Sequence, residues 1–140
     1  ARCLARCEVD AAFLSATLSK PTTAWATLVD VEGGMVGLGG SIDEQFAGQP
    51  GCTLRHLLSH AGGYGFMGTD PIAAPERTRT YSNGGVELAA AWIESHSEMP
   101  FAEYLSLAVF EPLGMTSAKL IGSPAYGMPP SVDDVVRVLA

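Results

Sequence analysis

Two stretches rich in glycine and proline set the strongest limit on what this chain can fold into. One, over 37–51, holds Gly37, Gly39, Gly40, Gly48, Pro50 and Gly51; the other, over 61–80, holds Gly62, Gly63, Gly65, Gly68, Pro71 and Pro75. Glycine loses the most freedom when fixed in a helix or strand, and proline lacks an amide donor, so both stretches read as loops. A long loop beside regular structure is a common border of a binding or catalytic site. The remaining segments are short and carry helical patterns. Ala24, Trp25, Leu28 and Val29 share one face of a helix over 20–32, with Pro21 in its first turn and Gly33-Gly34 ending it.

Thr53 caps a short helix over 54–60 that Gly62-Gly63 terminates. Val86, Ala89, Ala90 and Ile93 form a stripe over 85–95, and Phe101, Tyr104, Leu105, Ala108 and Val109 form another, closed by Pro112 and Gly114. Ser131-Val132-Asp133-Asp134 has the form of a capping box, and Val132, Val135, Val136 and Leu139 give the last helix its buried face. Strand signals are sparse: Val36, Leu38 and the stretch 119–121 allow only short extended pieces. The chain therefore reads as mostly α, with long glycine-rich loops.

Composition excludes several function classes. At 140 residues with 47% hydrophobic and 16% charged side chains, the chain has one core's worth of apolar surface and is no disordered tail. The formal net charge of -7 offers no broad cationic face, so nucleic acid is not an expected partner. No apolar run approaches the roughly 18 residues of a membrane span. Three cysteines cannot all pair within the chain, and Cys3 and Cys7 lack further ligands nearby, so ordinary thiols are expected and no metal site. His56 and His60, four apart, share a helical face but lack the glutamate of a zinc protease, and packing is their expected role. His96 reads as a helix-end residue near the negative pole of the helix dipole.

Two segments carry groups suited to nucleophilic chemistry. In Thr17-Leu18-Ser19-Lys20 a hydroxyl lies three residues before a lysine, a spacing that puts Thr17 and Lys20 on one helical face where an amine meets the hydroxyl oxygen. Ser19, adjacent to Lys20, points about 100° away and does not substitute. In Tyr81-Ser82-Asn83, between the second loop and the next helix, a phenol can move a proton and an amide can hold a substrate carbonyl or amide. Ser82 or Asn83 also suits a helix cap.

The order of these segments carries a resemblance. A-T-L-S-K-P-T-T-A-W-A-T-L, T-L-R-H-L-L-S-H-A-G-G, Y-S-N-G-G-V-E-L, M-P-F-A-E-Y-L, F-E-P-L-G-M-T and G-M-P-P-S-V-D-D-V-V-R-V-L follow one another along most of the chain. In this arrangement the chain resembles the serine beta-lactamase-like family, the branch of class C beta-lactamases, D-alanyl-D-alanine carboxypeptidases and related esterases. The resemblance implies an acylated nucleophile three residues before the lysine, with the lysine and the tyrosine of Y-x-N handling protons and the asparagine holding substrate. By position these roles fall on Thr17, Lys20, Tyr81 and Asn83, with threonine where the family has serine. Threonine's β-methyl restricts χ1 and crowds the approach to an acyl carbon. Glu98 stands where the family often has glycine, and Gly39-Gly40 where it often has paired aspartates.

The family's third motif, a lysine- or histidine-started triad on a late strand, does not follow Tyr81 within the 140 residues, and His60-Ala61-Gly62 precedes it and reads as a helix end. The expected architecture is thus the helical portion of the α/β beta-lactamase and penicillin-binding-protein-like fold with most of the sheet missing. It is expected as one domain over 1–140, truncated at both ends, with an irregular leader over 1–12. The implied function is hydrolysis of an ester or amide, beta-lactams or D-Ala-D-Ala-like peptides among them, through an acyl-enzyme and with no cofactor. The competing expectation is a catalytically silent helical module that binds a protein partner. Helix faces through Trp25 and Leu28, and through Val86 and Ile93, are expected to be exposed and to favour self-association.

Overall fold

The centre of the structure is the helix whose stripe is cleanest in the sequence. The computed structural model describes residues 16–139, with side chains from Leu18 onward. Its helices are α1 (Ala16–Glu32), α2 (Glu44–Ala47), α3 (Leu54–Leu58), α4 (Asn83–Ser97), α5 (Phe101–Leu105) and α6 (Val132–Leu139), and α5 runs on into a π-helical turn over Ser106–Phe110. Among the described residues there are no strands, only isolated antiparallel bridges at Ser41–Thr53 and Tyr64–Pro71. The fold is that of the helical portion expected above.

Helix α4 is surrounded by α1, α3 and α5. Val86, Leu88, Ala89, Ala90 and Ile93 are all buried, so the expectation that Val86 and Ile93 are exposed is corrected: neighbouring helices cover that stripe without help from a sheet. Val86, Leu88 and Ile93 each contribute about 1.5–3 kcal/mol by this burial. Phe101, Leu105, Val109 and Phe110 close the core from the other side, the π turn widening the helix so that both Val109 and Phe110 face inward. The loop over 37–51 is not wholly irregular. It contains α2, capped by the Asp43 carboxylate accepting from the Gln45 amide at 2.7 Å, and Phe46 meets Trp92 of α4 edge-on with centroids 5.2 Å apart.

Helix α1 starts earlier than its periodicity implies, and Pro21 lies inside it rather than in the first turn of a helix from Lys20. Proline there removes the amide that would bond the Thr17 carbonyl. More consequential is the side that α1 turns inward. Ser19, Thr22, Thr23, Ala26, Thr27 and Asp30 are buried, while Trp25 and Leu28 are 39% and 45% exposed. The apolar stripe faces out as a shallow groove lined by Pro21, Ala24, Trp25, Leu28, Val29 and Glu32. Apart from Asp30 Oδ2, which has no partner among the described residues, the buried polar side chains of this face are hydrogen-bonded instead. The Thr22 hydroxyl bonds the Ser19 carbonyl at 2.9 Å, Thr27 bonds the Thr23 carbonyl at 2.9 Å, and the Tyr104 hydroxyl donates to Asp30 Oδ1 at 3.1 Å. Burial, then the Asp30 charge, pushes the Tyr104 phenol up to about 12.

Helix α6 shows the same inversion. Its capping box is present: the Asp134 amide donates to Ser131 Oγ at 3.1 Å and the Ser131 amide to Asp134 Oδ2 at 3.0 Å. Ser117 Oγ also donates to the Asp134 carboxylate. Burial alone raises Asp134, but hydrogen bonds from Ser117 and Ser131 outweigh it and hold the carboxyl below its ordinary 3.8. These bonds anchor Asp134 inward and thereby rotate Val132, Val136 and Leu139 outward, where they are exposed. The expectation that these three form the buried face is corrected.

The C-terminus of α4 carries a local strain. Glu98 caps it with φ +56, in the left-handed region where a side chain costs roughly 1–2 kcal/mol. Replacing Glu98 by glycine is expected to stabilise the chain by about 0.5–1 kcal/mol, after the added freedom of the unfolded glycine is offset. Urea unfolding measures this, and an unchanged or lowered midpoint would contradict the strain.

Candidate active site

Sequence-distant groups meet at the start of α4. Lys20, one turn into α1, places its Nζ 4.5 Å from the centre of the Tyr81 ring and donates a 3.0 Å hydrogen bond to the Ala125 carbonyl. Thr17 lies in the first turn of α1, three residues before Lys20; its side chain lies outside the described residues. Ser19, the neighbouring hydroxyl, is buried with its Oγ accepting from the Met128 amide at 3.0 Å, so it is engaged in structure.

Tyr81 is half-exposed, its ring between His60, with centroids 4.8 Å apart, and Phe66 at 6.3 Å. Asn83, the first residue of α4, is buried. Its Nδ2 donates to Met67 Sδ at 3.1 Å and its Oδ1 has no partner among the described residues. Ser82, between them, is the helix cap, its Oγ accepting from the Gly85 amide at 2.9 Å. Lys20, Tyr81 and Asn83 thus occupy one region of the molecule, while the Ser82 side chain is taken up by the helix cap.

The second loop is what holds this region together. Its ends are joined where the Thr80 amide bonds the His60 carbonyl at 3.0 Å and the Glu76 amide the Ala61 carbonyl at 2.9 Å. Its tip lies on the start of α4, the Asn83 amide bonding the Phe66 carbonyl at 2.9 Å. That approach requires Gly84, because a methyl group there would collide with the Gly68 carbonyl oxygen. Gly63 plays the same part against the Ala73 carbonyl.

Sequence reasoning missed two contributors. One is the turn over 123–128, whose carbonyls at Pro124 and Ala125 accept from Thr23 and Lys20. Glu87 of α4 steadies it by accepting from Ser123. The other is His60. It lies beyond α3 with φ +61, so it does not share a helical face with His56, and it is His60, not Gly62-Gly63, that turns the chain at the helix end. His56 instead closes a capping box with Thr53 and meets Glu76 at 3.1 Å. Burial, then the charges of Lys20 and Arg79, hold His60 below its ordinary 6.5. Among the described residues no group of three His, Cys, Asp or Glu side chains is placed to hold a metal ion; Cys3 and Cys7 lie outside them.

A family model described as Beta-lactamase matches residues 5–131. The chain belongs to the Beta-lactamase family. Within that family it is similar to Penicillin-binding protein 4* of Bacillus subtilis (strain 168), 30% identical over 141 residues covering 81% of this chain and 31% of that protein. A beta-lactamase from Mycobacterium bovis shares 35% identity and superposes with a TM-score of 0.83, covering 97% of this chain and 49% of that one. A Beta-lactamase/D-alanine carboxypeptidase from Yersinia pestis, at 18% identity and a TM-score of 0.82 over 98% of this chain and 55% of that one, shares the fold. The chain therefore spans about half the length of these family structures and a third of the curated relative. No helix among the described residues is long and apolar enough to cross a membrane.

The close approach at Gly84 has a measurable consequence. Gly84→Ala is expected to lift the tip of the loop from α4, cost about 1–3 kcal/mol, and speed hydrogen exchange at the Asn83 amide. Unchanged stability and exchange would show that the tip is not seated there.

Proposed function

We propose that this chain carries the nucleophile and proton-handling part of an acyl-transfer site acting on esters or amides, with beta-lactams or D-Ala-D-Ala-like peptides as the substrate class the family suggests. Thr17 is the nucleophile, Lys20 and Tyr81 handle its proton, and Asn83 holds the substrate. The observation that carries this reading is the 4.5 Å approach of Lys20 Nζ to the Tyr81 ring. An amine and a phenol side by side, with a hydroxyl one helical turn before the amine, are the groups that acyl transfer to a hydroxyl needs.

In the first half-reaction Thr17 Oγ1 bonds to the acyl carbon and gives its proton to whichever member of the Lys20 and Tyr81 pair is deprotonated, a neutral amine or a phenolate. The bond to the leaving oxygen or nitrogen then breaks, and that atom takes the proton. Water attacks the resulting Thr17 ester in the second half, releasing the acid and restoring the hydroxyl. The unpartnered Oδ1 of Asn83 supports its role, since a buried acceptor without a donor gains most from a substrate N–H. For Asn83 Nδ2 to serve as well, the Met67 thioether has to give way.

A second reading, a silent module that binds a protein partner, is favoured by one observation: the outward apolar faces of α1 and α6. The two readings separate in one experiment. Thr17→Ser relieves the crowding by the β-methyl and is expected to raise hydrolysis of nitrophenyl acetate on the order of tenfold, and Lys20→Ala in that background to remove the gain. Mass spectrometry after exposure to a penicillin should place the acyl adduct on residue 17. No rise and no adduct in folded Thr17→Ser would overturn the catalytic reading, and concentration-dependent sedimentation would then favour the module.

A further inference from the structure

His60 is hydrogen-bonded to the amides of both residues that flank Tyr81, Thr80 and Ser82. Its carbonyl oxygen accepts from the Thr80 amide at 3.0 Å, and its Nδ1 accepts from the Ser82 amide at 3.3 Å. Its ring lies against the ring of Tyr81, 4.8 Å between centroids. The positive φ of His60 makes all three contacts compatible, because it turns the chain back just after α3. Holding residues before and after a side chain fixes the direction in which that side chain leaves the backbone. We infer that His60 is a positioning residue for Tyr81, clamping the backbone on either side of the phenol and supporting its ring.

The clamp depends on one protonation state. A backbone N–H is a donor, so Nδ1 must be bare and the imidazole neutral, with its proton on Nε2. Charged or titratable groups bearing on the ring are Lys20 from α1 and Arg79 and Tyr81 from the loop, and both cations oppose protonation. Glu76, from the same loop, is engaged with His56. A histidine held below its ordinary value leaves the folded chain binding its proton after the unfolded chain does. Its stabilising effect is therefore complete above pH 6.5 and is lost as pH falls through the folded value.

The inference rests on the reading of Tyr81 as a proton handler, but its test does not need turnover. In the full chain, ¹⁵N-resolved spectra follow the Ser82 amide and ring-labelled tyrosine follows Tyr81. In the parent, both signals should move together with the titration of the His60 ring. His60→Gly relaxes the backbone and removes the clamp: the fold should persist, Ser82 exchange should rise at least about tenfold, and the Tyr81 signal should shift. His60→Asn tolerates a positive φ and puts an oxygen at the place of Nδ1, so it should restore Ser82 protection while abolishing the pH dependence.

Where ester turnover is measurable, His60→Gly should lower kcat on the order of tenfold with little change in KM, and His60→Asn should recover part of it. Ser82 and Tyr81 signals that ignore both substitutions and pH would overturn the clamp, whatever the activity. An inert chain with the coupling intact would overturn the catalytic reading and leave the clamp standing.

Discussion

The Lys20 side of the site hangs on hydrogen bonds made by the polar face of α1. Thr23 and Lys20 donate to the carbonyls of Pro124 and Ala125, and Ser19 accepts from the Met128 amide. Each such bond contributes only about 0.5–1.5 kcal/mol net, but leaving one of these buried groups unpaired costs about 1–3 kcal/mol. That asymmetry makes the face specific. A segment without carbonyls at this spacing would leave the Thr23 hydroxyl and the Lys20 amino group without these partners, so the turn over 123–128 is selected over an apolar alternative. The same contacts hold the Lys20 side chain where it meets Tyr81.

The other half of the site depends on close backbone approach. Gly84 and Gly63 let carbonyl oxygens of the loop come within distances that a side chain forbids, and the loop is thereby laid over the start of α4. Phe66 and Met67 reach Tyr81 and Asn83 by this route. Helix packing brings α1 beside α4, while the loop and the turn over 123–128 position what those helices display. The buried Asn83 acceptor has no partner among the described residues, a cost in the fold that a substrate donor would relieve under the proposed reading.

Much of the fold was legible in the sequence. Local rules sufficed for the caps at Thr53, Ser82 and Ser131, for the helical stripe of α4 though not for its burial, and for the second glycine-rich loop, because each depends on neighbours a few residues away. Helix α6 was read least well, since hydrophobic periodicity pointed to the wrong side; in α1 the exposed stripe through Trp25 and Leu28 was expected, but the buried polar face opposite it was not. In both, a buried hydroxyl or carboxylate network outweighs an apolar stripe, and its partners lie far along the chain: Ser117 for Asp134, Pro124 and Ala125 for α1. Residues Lys20, Tyr81 and Asn83 were visible as motifs, and the structure brings Lys20 to Tyr81. His60 was visible only as the end of a short helix, since its role arises from the return of the chain at Thr80 and Ser82.

The central claim is that α1 is held by its polar face and not by its apolar one. Comparing Thr23→Val with Leu28→Gln by urea unfolding tests it directly. Valine nearly matches threonine in volume and would favour an ordinary apolar interface, but here it strands the Pro124 carbonyl and should cost about 1–3 kcal/mol. Glutamine at the exposed Leu28 should stay within about 0.5 kcal/mol of the parent. The reverse order, a tolerated Thr23→Val and a costly Leu28→Gln, would mean that α1 packs through its tryptophan side and would contradict the account.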